Sequence, residues 1–328
     1  MSAVAVIRGL GTSVPDRVVT NDELARTLDT SDEWVRTRTG IAERRIADAD
    51  VATADLAVEA GAEALKSAGE QADAVVVATS TPDRSLPGVG AEVAARLGLG
   101  TVAAFDVNAA CSGFVYGLSV ASGMIAADIA DRVLLVGAET MSRITDFSDR
   151  STAVLFGDGA GAVLLCRGDA GDLGAVGPYD LGSDGDASDL LCVPAGGSRH
   201  PTDPSAIAAR QTFLQMDGRE VYRQAVRRMV ESSRRVLDRA GLAVADVDRL
   251  VGHQANARIL DAVGDRLGVP TERRFVNVAR YGNTSAASIP LALADAGLEP
   301  GEQVLLTAFG AGMSWGSTVL RWPSLPAA

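Results

Sequence analysis

VAAFDVNAACSG, residues 102–113, and RRFVNVARYGNTSA, residues 273–286, are the two stretches whose reading decides the fold. Each runs from an apolar, strand-like segment into a short turn and then into small residues suited to a helix. The echo extends in both directions. ADAVVVATS (72–80) follows a helix-like stretch from Thr53 to Ala68, with Thr53 as N-cap and Leu56, Ala60, Ala64 and Ala68 at helical spacing. VDRLVGHQ (247–254) likewise follows a helical stretch from Glu220 to Ala240 that Gly241 stops. DRVLLVGAE (131–139) is matched by EQVLLTAFG (302–310). Asp73 and Asp248 stand 175 positions apart, and the other landmarks recur at an offset near 170. Four landmarks in one order predict a duplicated unit.

The strand-like runs are continuously apolar rather than alternating, which predicts sheets covered on both faces in a layered α/β architecture. The halves are expected at 1–170 and 171–328, joined near Gly168 to Gly174. SDGDASDLLCVPAGGSRHPTDPSAI (183–207) is rich in Ser, Asp, Gly and Pro and predicts a surface excursion near the active-site mouth.

A chain of 328 residues, 47% hydrophobic, can bury a large core or two fused smaller ones. A net charge of −12 offers phosphate backbones no broad footprint, so nucleic-acid binding is not expected. No apolar run reaches the roughly 18 residues of a membrane span, and the start lacks the pattern of a secretory leader, so a cytoplasmic protein without membrane association is expected. Cys111, Cys166 and Cys192 are an odd, scattered set that suits neither a disulfide framework nor a metal site.

Chemistry concentrates at strand ends, where α/β folds place function. Cys111 sits between the strand-like TVAAFDV and SGFVYGLSVASGMIAA, a helix-like stretch of small and apolar residues. A helix N-terminus there would lower the thiol pKa and favour an attacking thiolate. Cys166 in AVLLC, and Cys192 in LLCVP, read instead as buried structural cysteines. Of the two histidines, His200 lies in the polar loop, whereas His253 ends the strand RLVG. Asn283 alone reads as a cap for a helix beginning near Thr284, and its place opposite Cys111 in the repeat gives it a second role. FGDGAGAVLL (156–165) lacks the lysine of a phosphate loop and reads as a tight turn between packed strands.

TSDEWVRTRTGIAERRIA (30–47), NAACSGF (108–114), FGDGAGAVLL (156–165), GHQANARI (252–259), YGNTSAAS (281–288) and AFGAGMSWG (308–316) together carry a resemblance. The chain resembles the β-ketoacyl-acyl carrier protein synthase III group of the thiolase-like superfamily, nearly end to end from Gly9 to Trp322. The resemblance implies the layered αβαβα thiolase-like fold, built from two duplicated halves, with Cys111, His253 and Asn283 as catalytic trio. Cys111 would attack an acyl-CoA thioester and release CoA. His253 and Asn283 would stabilise the enolate formed as malonyl-acyl carrier protein loses carbon dioxide. The oxyanion donors would be the Cys111 N–H and the Gly310–Ala311–Gly312 turn, where Ala311 replaces a glycine common in relatives.

The resemblance also implies that Thr30, Trp34, Arg38 and Arg150 bind CoA, with indole on adenine and arginines on phosphates. On its own, TSDEW reads as a helix-start capping box. Arg219, Tyr222 and Phe309 would line the substrate tunnel, with Arg219 standing where relatives often have Asn. Arg223, Arg258 and Arg266 would dock the acidic carrier protein, although Asp265 departs from the basic pattern and each arginine alone reads as a solvated helix face. Leu86 would close the acyl pocket of a neighbouring subunit, which implies a homodimer. Acyl-CoA is a substrate, and neither cofactor nor metal is expected.

Three other enzymes and one non-enzyme share parts of this pattern. A non-condensing acyltransferase would keep Cys111 without needing Asn283. Thiolase would carry a second cysteine near AFGAGMSWG, and a synthase with a carboxylate base would need a Glu beside Cys111, for which the sequence offers no obvious candidate. A catalytically silent scaffold subunit would have lost the nucleophile.

Overall fold

The computed structural model describes residues 3–325. A five-stranded sheet orders Val4–Ser13, Asp158–Gly168, Arg132–Thr140, Ala74–Ala78 and Ala103–Val107 side by side. Asp158–Gly168 runs antiparallel to both its neighbours, and Ala74–Ala78 is parallel to both Arg132–Thr140 and Ala103–Val107. The second sheet repeats the scheme: Val176–Ser183, Ser314–Arg321, Gln303–Gly310 and Arg249–Gly252, with the last pair parallel. Its fifth place is held only by an isolated parallel bridge between Leu250 and Arg274.

The helices Gly113–Ala126 and Ser288–Asp295 lie between the sheets. Phe114, Leu118, Ile289 and Leu293 share one apolar cluster with Val76 and Leu135 of the first sheet and Val304 and Leu306 of the second. A helix covered by sheets on both sides is apolar all round, which explains the absence of charge from GFVYGLSVASGMIA. Each fully buried Leu or Phe there contributes about 1.5–3 kcal/mol. Thr53–Ala68 covers the outer face of the first sheet, and Gly218–Ala240 with Ala257–Leu267 covers that of the second. Five layers result, as the resemblance implied, and both sheets are covered on each face, as the apolar strands predicted.

Some local expectations change. Thr53 does not cap its helix: Ala52 holds the cap position, its N–H donating to Asp55, while the Thr53 hydroxyl donates to the Thr81 carbonyl. Ser31 rather than a reciprocal Ser–Glu box starts the helix Asp32–Thr39, accepting from the Trp34 N–H. FGDGAGAVLL is not a turn; most of it lies in the strand Asp158–Gly168. Its glycines serve close approach, since a Cβ on Gly161 would lie 2.7 Å from the Pro290 Cβ of the inner helix. The excursion after Ser183 does not stay on the surface either, because Leu191 is buried and joins the cluster beneath Gly218–Ala240. No helix of the described residues is long and apolar enough to cross a membrane.

Candidate active site

Matching turns at the ends of the two halves build the site. Asn108 Oδ1 accepts from the Ala110 N–H at 3.2 Å, and Asn283 Oδ1 accepts from the Ser285 N–H at 2.9 Å. Ala110 and Ser285 both adopt left-handed backbone, with φ of 47° and 48°. Such geometry costs a non-glycine residue about 1–2 kcal/mol, and here an asparagine side chain two residues earlier supports it. Each strained residue opens a single 3₁₀ turn, Ala110–Ser112 or Ser285–Ala287, that leads into an inner helix. The turns therefore pair Asn108 with Asn283 and Cys111 with Ala286, which corrects the expectation that Asn283 stands opposite Cys111. Nor does Asn283 cap a helix. With its oxygen committed to Ser285, its amide NH₂ is the end left to serve the cavity.

Cys111, His253 and Asn283 line one cavity of about 110 Å³ together with Phe156, Tyr222, Phe309 and Gly310. Cys111 also lines a second cavity of about 250 Å³, whose wall includes Met141, Ile144, Leu191, Leu214, Ser285 and Ala311. The nucleophile candidate thus sits where two chambers meet.

Burial pushes the Cys111 thiol up to about 12, against a hydrogen bond from Ser285 that lowers it. Cys111 lies in the 3₁₀ turn that runs directly into the helix Gly113–Ala126, at the strand-to-helix junction expected, and burial shifts its thiol upward, opposite to the direction expected of a helix N-terminus. Burial likewise drives His253 down to about 3, so the imidazole is neutral. Its Nδ1 lies 2.6 Å from Ser288 Oγ, which also accepts from the Gln254 N–H at 3.3 Å. With Ser288 Oγ accepting from Gln254, its hydroxyl is best assigned as donating to Nδ1, which leaves the single ring proton of the neutral imidazole on Nε2. His253 and Asn283 both present neutral N–H donors to the chamber.

Gly310 stands directly behind the nucleophile's backbone. A Cβ there would come 2.6 Å from the Cys111 nitrogen and 3.0 Å from that of Ser112. Ala311 lines the second cavity, beside Cys111 and Ser285.

The remaining sequence candidates divide. Tyr222 and Phe309 line the smaller cavity, whereas Arg219 is exposed and lines neither chamber. The Arg38 and Arg150 guanidiniums both lie over the Trp34 ring, at 4.4 and 4.8 Å. Thr30 Oγ1 is buried without a hydrogen-bond partner. Arg223, Arg258 and Arg266 are exposed, Arg223 pairing with Glu220 of its own helix and Arg258 lying over Tyr222. Asp265 pairs with Arg274. Leu86 is 84% exposed and lines neither chamber of its own chain. Cys166 is buried in a strand as expected, but Cys192 is only half-buried and lines the larger chamber.

Sequence reasoning missed Ser288, Ser285 and Glu139. The sequence offered no obvious glutamate beside Cys111, and the structure adds a fully buried one, Glu139, which accepts from Ser285 at 3.0 Å and tends to raise the Cys111 thiol. A charged residue ending the apolar run DRVLLVGAE was the available signal.

Residues 105–185 match the profile of 3-oxoacyl-[acyl-carrier-protein] synthase III, and residues 237–322 match that of its C-terminal region. The chain is 54% identical to a β-ketoacyl-[acyl-carrier-protein] synthase III of Streptomyces coelicolor, covering 99% of each. Its fold superposes with a TM-score of 0.92 on 3-oxoacyl-(acyl carrier protein) synthase III from Pseudomonas aeruginosa, at 50% identity, covering 99% of this chain and 100% of that one. The priming β-ketosynthase of the R1128 polyketide pathway is similar at 36% identity, with a TM-score of 0.90 over 99% of this chain and 98% of that one.

Proposed function

The chain belongs to the 3-oxoacyl-[acyl-carrier-protein] synthase III family, and from that premise we propose that Cys111, His253 and Asn283 carry out an acyl-transfer and condensation cycle that starts a fatty acid or polyketide chain. The enzyme is an acyltransferase of the condensing type. The observation that carries the residue roles is the convergence of all three side chains on one cavity.

Cys111 sulfur attacks the acyl-CoA thioester carbonyl, and CoA thiolate leaves. The Cys111 N–H and the turn at Gly310–Ala311 face the developing oxyanion. Malonyl-acyl carrier protein then enters through the smaller chamber. Its thioester oxygen accepts from His253 Nε2–H and the Asn283 amide as carbon dioxide departs, and the enolate carbon attacks the acyl-Cys111 carbonyl, breaking the acyl–sulfur bond so that the Cys111 thiolate leaves and β-ketoacyl-acyl carrier protein is released. Neutral donors suit this step because the charge they meet appears only during reaction.

The larger chamber takes the acyl chain. At about 250 Å³ it exceeds the roughly 150 Å³ that holds a benzene-sized guest, so starters longer than acetyl fit. CoA binds over Trp34, its adenine displacing one of the two stacked guanidiniums, which then meet phosphate. Arg223, Arg258 and Arg266 receive the carrier protein. A homodimer is supported by the edge strand Ala103–Val107, which leaves Phe105 exposed, and by the outward Leu86. The cycle needs no cofactor and suits a cytoplasmic enzyme.

An acyl-CoA panel tested with malonyl-acyl carrier protein, followed by mass spectrometry of Cys111 and of product, checks the reading. Acylated Cys111 and a β-ketoacyl product support it. Acylation without condensed product across several carrier proteins would replace it with a non-condensing transferase.

A further inference from the structure

Arg44 is a charged residue sealed inside the protein, 0% exposed and outside both chambers. Its guanidinium donates only to neutral acceptors: the Val19 carbonyl at 3.1 Å, Asn21 Oδ1 at 2.8 Å and the Val154 carbonyl at 2.8 Å. Among the described residues no carboxylate forms an ion pair with it, and its Nε has no partner. Burial lowers it to about 10, which still leaves it charged at neutral pH. A buried charge without a counter-ion costs more than an apolar side chain of the same size. What this charge holds in place is the frame around Asn283.

Arg44 belongs to the short strand Glu43–Arg45, and two glycines let that strand close on the Asn283 turn. A Cβ on Gly157 would lie 3.1 Å from the Arg44 Cβ, and one on Gly282 would lie 3.2 Å from it and 2.7 Å from the Leu155 carbonyl oxygen. At this close approach the Asn283 N–H donates to the Leu155 carbonyl at 2.8 Å, and the Gly157 N–H donates to the Asn283 carbonyl at 3.1 Å. Phe156 and Asn283 are thereby bridged in parallel, and Leu155, Phe156 and Asn283 all line the smaller chamber. The Arg44 fork grips this unit one residue upstream, at the Val154 carbonyl. Its other arm runs towards the helix Asp32–Thr39: Asn21, whose oxygen accepts from Arg44, donates through Nδ2 to Asp32 Oδ1 at 2.9 Å and to the Ile41 carbonyl at 2.8 Å. One planar cation therefore ties the backbone of Asn283 to the helix that carries Trp34 and Arg38.

We propose that Arg44 is a positioning residue for condensation: by fixing the Val154–Gly157 segment it holds the Asn283 amide where the enolate oxygen develops. A guanidinium suits this role because its N–H groups lie in one rigid plane, so the three carbonyl oxygens are set relative to one another and not merely attracted. The role is confined to one half-reaction, since Cys111 and its N–H belong to the other turn, Ala110–Ser112. The inference rests on the reading of Asn283 as an enolate donor.

Two single-turnover rates test this in Arg44→Met, Asn283→Ala and the double variant: acylation of Cys111 at saturating acyl-CoA, and condensation of pre-acylated enzyme with malonyl-acyl carrier protein. Arg44→Met slows condensation roughly tenfold to a hundredfold, the scale for displacing a reacting group by about 1 Å, and leaves acylation within about threefold of wild type. In the Asn283→Ala background it slows condensation little further, because the group it positions is already gone. A residue that only stabilises the fold predicts equal losses in both half-reactions, or losses that multiply in the double variant; either result overturns the proposal. Should Arg44→Met not fold, Arg44→Lys decides alone, since an ammonium keeps the charge but cannot hold three acceptors in one plane. A fall confined to condensation then supports the proposal, and any other result overturns it. Condensation unaffected by Asn283→Ala would instead defeat the donor reading, a distinct result.

Discussion

Ser288 Oγ lies 2.6 Å from His253 Nδ1, and this one contact fixes which nitrogen of the imidazole faces the reaction. A neutral histidine has one donor and one acceptor, so a hydroxyl proton on Nδ1 makes Nε2 the donor. Replacing Ser288 by Ala frees the ring to change tautomer. Condensation is expected to slow by roughly tenfold to a hundredfold, the range for losing a partner that orients a functional histidine, while acylation of Cys111 by acyl-CoA is little changed. Separate single-turnover assays of the two half-reactions check this.

Asn283→Ala removes one enolate donor outright. The expected loss in condensation rate is about 10²–10³, as for other oxyanion donors, with acyl-enzyme still forming. Asn283 Oδ1 also supports the strained Ser285, so a modest fall in melting temperature accompanies the change. Equal loss in both half-reactions would argue that the site had collapsed rather than lost a donor.

Protonating His253 should destabilise the protein. Its folded pKa of about 3 lies below the ordinary value of 6.5, so between these limits the unfolded chain binds the extra proton. Stability therefore declines as pH falls from 6.5 towards 3, and this group's contribution is fully present above 6.5. Denaturant titrations at several pH values should show a shallower acid decline in His253→Asn than in wild type.

Gly310→Ala would place a methyl group against the Cys111 and Ser112 nitrogens, both of them backbone atoms that cannot rotate away. A destabilisation of about 1–3 kcal/mol is expected from overpacking, together with loss of Cys111 acylation as the oxyanion donor is displaced. Calorimetry and intact-mass measurement read the two effects.

Trp34→Ala removes the ring under Arg38 and Arg150. The KM for acyl-CoA should rise roughly tenfold, in line with losing one stacking contact and its cation–π partners, with kcat much less affected. Turnover of malonyl-acyl carrier protein by pre-acylated enzyme should be unchanged.

The apolar runs determined the layered α/β architecture, because a strand or helix buried on both sides can carry almost no polar residues, and the repeated order of landmarks pointed to duplicated halves. The repeat of strand–turn–helix units located Cys111, His253 and Asn283 at functional strand ends. Local chemistry could not fix what depends on distant partners. The Cys111 thiol is high because solvent is excluded from around it, and the donor state of His253 is set by Ser288, 35 residues away. Glu139 reaches Ser285 across 146 positions of chain, so no spacing pattern connects them. Periodicity reports which faces are dry, whereas protonation and hydrogen-bond direction depend on which groups the folded chain brings into contact.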